Sequence, residues 1–348
     1  MVETASQVGS GNMEAELRQV EEEVQVLLSG RGSEVTAYDD VGLEQSKPAS
    51  LKNNTTYIVS AIIFNHKEEV LMVQEAKKDC YKKWYLPAGK VKKGESLQEA
   101  LLREVKEEAG VECEPITLLL IEEQGPQWIR FNFLAAVTGG DVKSPAAADK
   151  ESLQAAWWDR RTALKLRGRD ILRPIECGLK YHRDPWHPVT LPTDQSCRHT
   201  VQRLVLVFVT SEERVWLLLV KAPRLHLPVV AAVKTHAVSW AADAVVRDAM
   251  AACYYEHKVT TLGVLGLQHH GRQHAMTDGV CFNTLVALKP DRAKRDEDGA
   301  ALQQPPPRQP PAVVNPRYVW QEVLHASLRG EILEKIRKTA ILPLDSLY

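Results

Sequence analysis

Several features are missing from this 348-residue chain, and each absence removes a class of function. Charge of one sign is missing: 44 Lys and Arg stand against 45 Asp and Glu, for a formal net charge of −1. A polyanion such as DNA is therefore an unsuitable partner, because its recognition needs clustered Lys and Arg. Paired cysteines are missing as well. Cys80, Cys113, Cys177, Cys197, Cys253 and Cys281 are scattered with no CxxC among them, which predicts free thiols in a reducing compartment and neither a disulfide framework nor a zinc site. No apolar run approaches the roughly 18 residues of a membrane span. The N-terminal Met1-Val-Glu-Thr-Ala-Ser6 has no basic region followed by an apolar core. A cytosolic protein is expected, with the nucleus left open. The length is sufficient for two domains with substantial cores.

What is present is concentrated in residues 89–111, GKVKKGESLQEALLREVKEEAGV. Gly89 follows Leu86-Pro87-Ala88 and Gly94 breaks the next stretch, so 89–94 reads as a loop. Ser96 is the expected N-cap of a helix, with Glu99 completing a capping box. Leu97, Ala100, Leu101, Val105 and Ala109 form its buried stripe, and Gly110 its C-cap. Glu104, Glu107 and Glu108, spaced i, i+3 and i+4, project from one face. Such close carboxylates repel one another unless a cation stands among them. A hard divalent ion does this well, because Mg²⁺ takes oxygen ligands and neutralises phosphate charge at the same time. Arg103, one turn before Glu107, could hold a carboxylate through a bidentate pair. The plainer reading is a solvated helix face with interleaved Lys106 and Arg103.

Spacing decides between these readings. Gly89, Glu95, Arg103-Glu104, Val105, Glu107-Glu108, Gly110 and Val111 fill every specified position of the Nudix box, so residues 52–165 resemble a Nudix hydrolase domain. The resemblance implies an α/β/α sandwich around a mixed sheet. It also implies Mg²⁺, or Mn²⁺ in its place, held against a substrate diphosphate while water attacks phosphorus. Carried over residue by residue, Glu104 becomes a metal ligand and the general base. Glu107, Glu108 and the carbonyl of Ala88 become ligands, Arg103 orients the acids, and Gly89, Glu95 and Gly110 support the loop and helix. Glu151, six residues before Trp157, is the candidate for an additional metal-binding acid outside the box. Trp128 and Phe131 are candidates to stack on a base, although aromatic residues in strands are more often core.

The flanking residues agree with an α/β unit. Tyr57 to Phe64, Glu69 to Gln74, Trp84 to Pro87, Ile116 to Glu122, Trp128 to Val137 and Ala155 to Trp158 read as strands around the capped helix. Residues 1–51 are expected to hold an N-terminal helix over 13–29 and a polar segment, and 166–200 a linker. Residues 201–345 then echo the first unit in order. Arg203 to Val209 and Val215 to Val220 match the first two strands, His226-Leu-Pro228 matches Tyr85-Leu-Pro87, and a helix is expected over Trp240 to Tyr254. Arg247-Asp248 stands for Arg103-Glu104, but Ala251-Ala252 replaces Glu107-Glu108. A second, degenerate Nudix-like α/β domain is expected, unable to assemble the metal site. His269, His270 and His274 with Asp278 have no firm ligand spacing and read as surface residues. Residues 291–316, charged and then rich in Pro and Gln, are expected to be disordered.

Outside the box, Gln74-Glu-Ala-Lys77, Trp84-Tyr-Leu-Pro-Ala-Gly89, Cys113-Glu-Pro115, Glu151 to Trp157 and Leu265-Gly-Leu-Gln-His269 look like the animal Nudix enzymes that hydrolyse 8-oxo-dGDP. That resemblance implies conversion of 8-oxo-dGDP, 8-oxo-GDP and oxidised dADP to the monophosphate plus phosphate, a sanitisation of the nucleotide pool. Residues reading the base lie outside any motif. Two rivals remain. Pro126, sixteen residues past Gly110, is a feature of ADP-ribose hydrolases and also of a plain Gly-Pro turn. A non-catalytic scaffold would use the Pro-rich segment and the degenerate domain to bind proteins, but has no need of the intact acidic constellation.

Overall fold

The computed structural model describes residues 4–41, 51, 55–124, 127–232, 238–251, 253–290 and 307–347, and of 4–12 the backbone alone. In chain order, the first half contributes α1 (Thr4–Leu28), β1 (Thr56–Ile63), β2 (Val70–Glu75), β3 (Trp84–Tyr85), β4 (Ala88–Lys90), α2 (Leu97–Ala109), β5 (Val111–Gln124), β6 (Trp128–Gly140), β7 (Ser152–Trp158) and α3 (Leu172–Arg183). The second half contributes β8 (Val201–Val209), β9 (Val215–Val220), β10 (Val229–Ala231), α4 (Ala241–Ala249), β11 (His257–Gln268), β12 (Cys281–Pro290), β13 (Tyr318–Glu322), α5 (Ala326–Lys338) and β14 (Leu344–Ser346).

Side-chain alternation along β1 builds the first half as a sandwich. Tyr57, Val59, Ala61 and Ile63 face the apolar stripe of α2, where Leu97, Ala100, Leu101 and Val105 are wholly buried. Ile62 faces the opposite way, toward Ile171 and Ile175 of the α3 region and Met72 of β2. The main sheet runs β14-β5-β6-β1-β4, and β3-β2-β7 forms a smaller one. Parallel β1 and β6 make it a mixed sheet. Residues 166–200 are thus more than the expected linker. They carry α3, whose apolar side closes the sandwich, a pattern that Ile171, Leu172, Ile175 and Leu179 hold at helical spacing.

The second half repeats the pairing order of the first. Antiparallel β11 and β12, parallel β12 and β8, and antiparallel β8 and β10 follow one another, as β5 and β6, β6 and β1, and β1 and β4 do. Even the anchoring bond recurs: Ala61 N–H donates to Pro87 O, and Leu204 N–H to Pro228 O. These registers match Gly89 to Val230, Tyr57 to Thr200 and Phe131 to Phe282. The expected helix over Trp240 to Tyr254 is shorter, since α4 stops at Ala249 and Met250 leaves helical geometry (φ −134°, ψ 41°). Ala251 therefore lies beyond the helix, and Ala252 lies outside the described residues.

The halves meet through matched residues, as in an isologous dimer interface. Phe131 stacks on Phe282, with centroids 6.2 Å apart and planes 10° apart, and the Tyr57 hydroxyl lies 2.5 Å from Thr200 Oγ1. Buried Glu123 of β5 accepts from the N–H groups of Val238 and Ser239, at 2.7 and 2.9 Å. Beyond β5, β14 adds a parallel strand to the first half's sheet, Leu344 opposite Ile121. The N-terminal helix, α1, packs on the second half, with Val20, Val24 and Leu27 against Val205, Leu265, Leu328 and Ile332. Much of the 291–316 segment, residues 291–306, lies outside the described residues, as do residues 42–50 and 52–54 before β1.

Candidate active site

The helix that carries the acids forms as its sequence dictates. Ser96 Oγ accepts from Glu99 N–H at 3.2 Å, Glu99 Oε2 accepts from Ser96 N–H at 2.9 Å, and Gly110 caps the other end at φ +81°. This fixes the rotation of α2. Arg103 lies at the centre of the acids, donating from Nε and Nη2 to the two oxygens of Glu95 at 2.5 and 2.9 Å. Its Nη1 reaches Glu104 Oε1 at 2.6 Å and Glu107 Oε2 at 3.1 Å. Glu95 also accepts from Lys92 N–H at 2.8 Å. Burial pulls against ionisation of Glu95, but Arg103 and Lys92 outweigh it and hold the carboxyl below its usual range.

Glu108 lies against Ala88, the residue of β4 before Gly89. Its Oε2 accepts from Ala88 N–H at 2.9 Å, and Lys77 Nζ lies 3.8 Å from Oε1. Burial pushes its carboxyl up to about 8, with Glu104 and Glu75 adding to the shift. Burial, with Glu107 adding to it, also pushes Glu104 up despite the Arg103 bond. Gly89 leaves the space that Glu104 fills: a Cβ there would stand 2.0 Å from Glu104 Cδ. Among the described residues no three His, Cys, Asp or Glu side chains converge as a metal-ligating group, and Arg103 and Lys77 engage the carboxylates instead. The donor set nevertheless fits a hard divalent cation. All its donors are oxygens, two of its acids are buried, and Oε2 of nearby Glu75 is buried without a hydrogen bond, Lys77 Nζ standing 3.9 Å away.

Glu151 stands at the mouth of β7, its carboxylate 3.7 Å from Lys150 Nζ. The next residue, Ser152, donates its hydroxyl to Glu108 O at 2.6 Å, tying this end of β7 to α2. Phe131, a stacking candidate in the sequence, is fully buried against Phe282 and Tyr57 and has no free face for a base. Trp128 is half-buried, with its indole donating to Gln124 Oε1 at 2.8 Å and the Arg130 guanidinium 5.5 Å from its ring. Pro126 lies outside the described residues. The histidine loop departs from expectation: His269 and Asp278 are buried, each 2% exposed. Within the loop His269 Nδ1 bonds Gly279 O at 2.8 Å and Asp278 bonds His274 Nδ1 at 2.6 Å, and the His269 ring also stands edge-on to Tyr57, centroids 6.2 Å apart.

A polar network that no motif announced begins one strand away from Ala88. Ser60, opposite Ala88, donates to Asn132 Oδ1 at 2.5 Å. Asn132 Nδ2 donates to Glu122 Oε2 at 2.8 Å, and Arg130 Nε to the same oxygen at 2.9 Å. Arg130 Nη1 then reaches Tyr85 Oη at 2.5 Å and Asp170 Oδ2 at 2.7 Å, while its Nη2 is buried without a partner. The available signal was polar residues interrupting apolar strands, which are tolerated only when bonded.

The acids of α2 and the polar network meet at Ala88, whose N–H donates to Glu108 and whose register partner is Ser60. The NUDIX domain family matches residues 54–176. The chain is 47% identical over 342 residues, 96% of its length and 100% of the relative's, to the zebrafish protein named 8-oxo-dGDP phosphatase NUDT18. It is 39% identical over 324 residues to the human protein of that name, covering 92% of this chain and 96% of the relative. The chain belongs to the Nudix hydrolase family, whose members typically use divalent metals.

Proposed function

We propose that this chain hydrolyses 8-oxo-dGDP and related oxidised nucleoside diphosphates, 8-oxo-GDP and oxidised dADP among them, to the monophosphate and phosphate. Mg²⁺ is the proposed cofactor, with Mn²⁺ able to replace it. The observation that carries this reading is the likeness to relatives named 8-oxo-dGDP phosphatase across both halves of the chain and not the box alone. A bound divalent cation would neutralise phosphate charge and make phosphorus more electrophilic. Glu104, Glu107, Glu108 and the Ala88 carbonyl are the groups to hold it, with Glu151 as a further candidate. Glu104 Oε2, the oxygen not bonded to Arg103, would accept the proton of the attacking water. Arg103 would keep that carboxylate oriented by its bonds to Glu95 and Glu104.

Base reading is assigned to the network leading away from Ala88. An 8-oxoguanine differs from guanine by a donor at N7 and an acceptor at O8. Arg130 has a spare buried donor in Nη2, and Asp170 a half-exposed carboxylate, so the pair offers the complementary groups. A phosphate-release assay with Mg²⁺ against 8-oxo-dGDP, dGDP and ADP-ribose tests the reading. Preference for 8-oxo-dGDP is expected. Preference for ADP-ribose would replace the substrate, and no release from any of the three would favour the scaffold.

A further inference from the structure

The loop between β11 and β12 runs from 269 to 280, twelve residues, where the matching turn between β5 and β6 needs only 125 to 127, three residues. The longer loop holds itself together. Gly271 N–H donates to Thr277 O at 2.9 Å, Ala275 N–H to Asp278 Oδ1 at 2.8 Å, and His274 Nδ1 lies 2.6 Å from Asp278 Oδ2. Its tip reaches across the interface and lands on the Nudix box. Gly271, at φ +77°, lies so close to Glu95 that a Cβ would stand 2.3 Å from Glu95 O. Only glycine satisfies both that conformation and that approach. Next to it, Arg272 Nη1 donates to Glu99 Oε1 at 2.6 Å, while Glu99 Oε2 holds the N-cap of α2.

Both residues touched are anchors of the site. Glu95 grips Arg103, which orients Glu104 and Glu107, and Glu99 fixes the start of the helix that presents all three acids. The Arg272 to Glu99 pair is half exposed, and such pairs add little to stability. Its position on the capping box gives it a different use. We propose that the second half, having no acidic pair of its own, acts as a positioning element for the metal site of the first. The contact is made by the 269–280 loop, with Gly271 seating the Glu95 backbone and Arg272 as a positioning residue on Glu99. The proposal rests on the reading that Glu104, Glu107 and Glu108 hold the cation.

The test uses the full chain with Arg272→Ala, Arg272→Lys and Gly271→Ala, and reads Mn²⁺ affinity without nucleotide by electron paramagnetic resonance. Phosphate release and thermal midpoint are measured beside it. Arg272→Ala should weaken Mn²⁺ binding and lower kcat about tenfold, as loss of groups that support ligands does. Its KM for the nucleotide and its midpoint should stay near those of the parent, and Arg272→Lys should recover most of the loss. Gly271→Ala should lose more. If it fails to fold, Arg272→Ala decides alone. Unchanged Mn²⁺ affinity in Arg272→Ala overturns the proposal, as does a fall in midpoint with no change in Mn²⁺ binding. A parent chain that binds no Mn²⁺ removes the metal site and this inference together. One that binds Mn²⁺ but releases no phosphate removes only the substrate reading.

Discussion

The two halves share a strand order and differ in what fills it. At the position matching Gly89, whose missing Cβ makes room for the Glu104 carboxylate, the second half carries buried Val230. The acid matching Glu104, Asp248, is spent on structure, accepting from Tyr318 Oη at 2.8 Å and Asn315 Nδ2 at 3.1 Å. The polar network has a counterpart too. Arg203, Asn283 and Gln268 occupy the registers of Ser60, Asn132 and Glu122, but Arg203 Nη2 and Gln268 Nε2 both donate to Ser33 O at 2.8 Å. The N-terminal segment thus plugs in the second half the place where the first half keeps an unpartnered Arg130 donor. The same strand pairing holds polar groups satisfied within the protein in one half and a spare donor in the other.

The sharpest way to break this comparison is to treat matched acids alike. Glu104→Gln should lower kcat by about 10³-fold, within the range for removal of an acid-base or charge-stabilising group, while Asp248→Asn should leave kcat within about twofold. Steady-state phosphate release on both variants decides it, and equal losses would mean that the second half takes part in the chemistry. Next in size, Phe282→Ala should cost about 3 kcal/mol in a denaturant melt, the usual cost of emptying a fully buried aromatic site. A melt that splits into two transitions would show that the halves do not share one core. Exchanging the matched glycine and valine follows. Gly89→Val should lower kcat about 10²-fold by driving Glu104 from its place, whereas Val230→Gly should cost about 2 to 4 kcal/mol of stability.

The smallest effect concerns the segment that plugs the second half. Asp39 accepts from Val229 N–H at 2.9 Å and Arg317 Nη2 at 2.7 Å, with His226 Nε2 at 3.3 Å. Burial opposes its ionisation, but His226, Val229 and Arg317 together hold the carboxyl low. Asp39 in turn raises His226. The aspartate's contribution is complete above its unfolded value of 3.8 and disappears as pH falls through the lowered one. The histidine's is complete below 6.5 and disappears as pH rises through the raised one. Asp39→Asn should therefore cost about 1 kcal/mol, most between roughly pH 4 and 6.5 and less on either side. Melts at pH 3, 5.5 and 8 would show it, and a constant difference would contradict the pairing.

Local patterns were legible in the sequence because local physics sets them. The capping box at Ser96 and Glu99, the Gly110 cap and the acid spacing on α2 all follow from residues within one or two turns. The order of strands in both halves was readable for the same reason. Long-range pairings were not. Phe131 could stack on a base, although a strand aromatic is more often core, and what buries it is Phe282, 151 residues away. Asp170 and Arg130 meet only because α3 folds back on the sheet. His269 is buried where its loop closes and meets Tyr57 of the other half, neither of which residue type reveals.

The pairing of β14 with β5 has a consequence in time. Ile121 is synthesised more than two hundred residues before Leu344, its partner across that edge. During translation the catalytic sheet therefore waits with one flank bare, and bare flanks recruit other chains. Shielding β5 during that interval is a demand on the nascent chain that the finished molecule no longer shows.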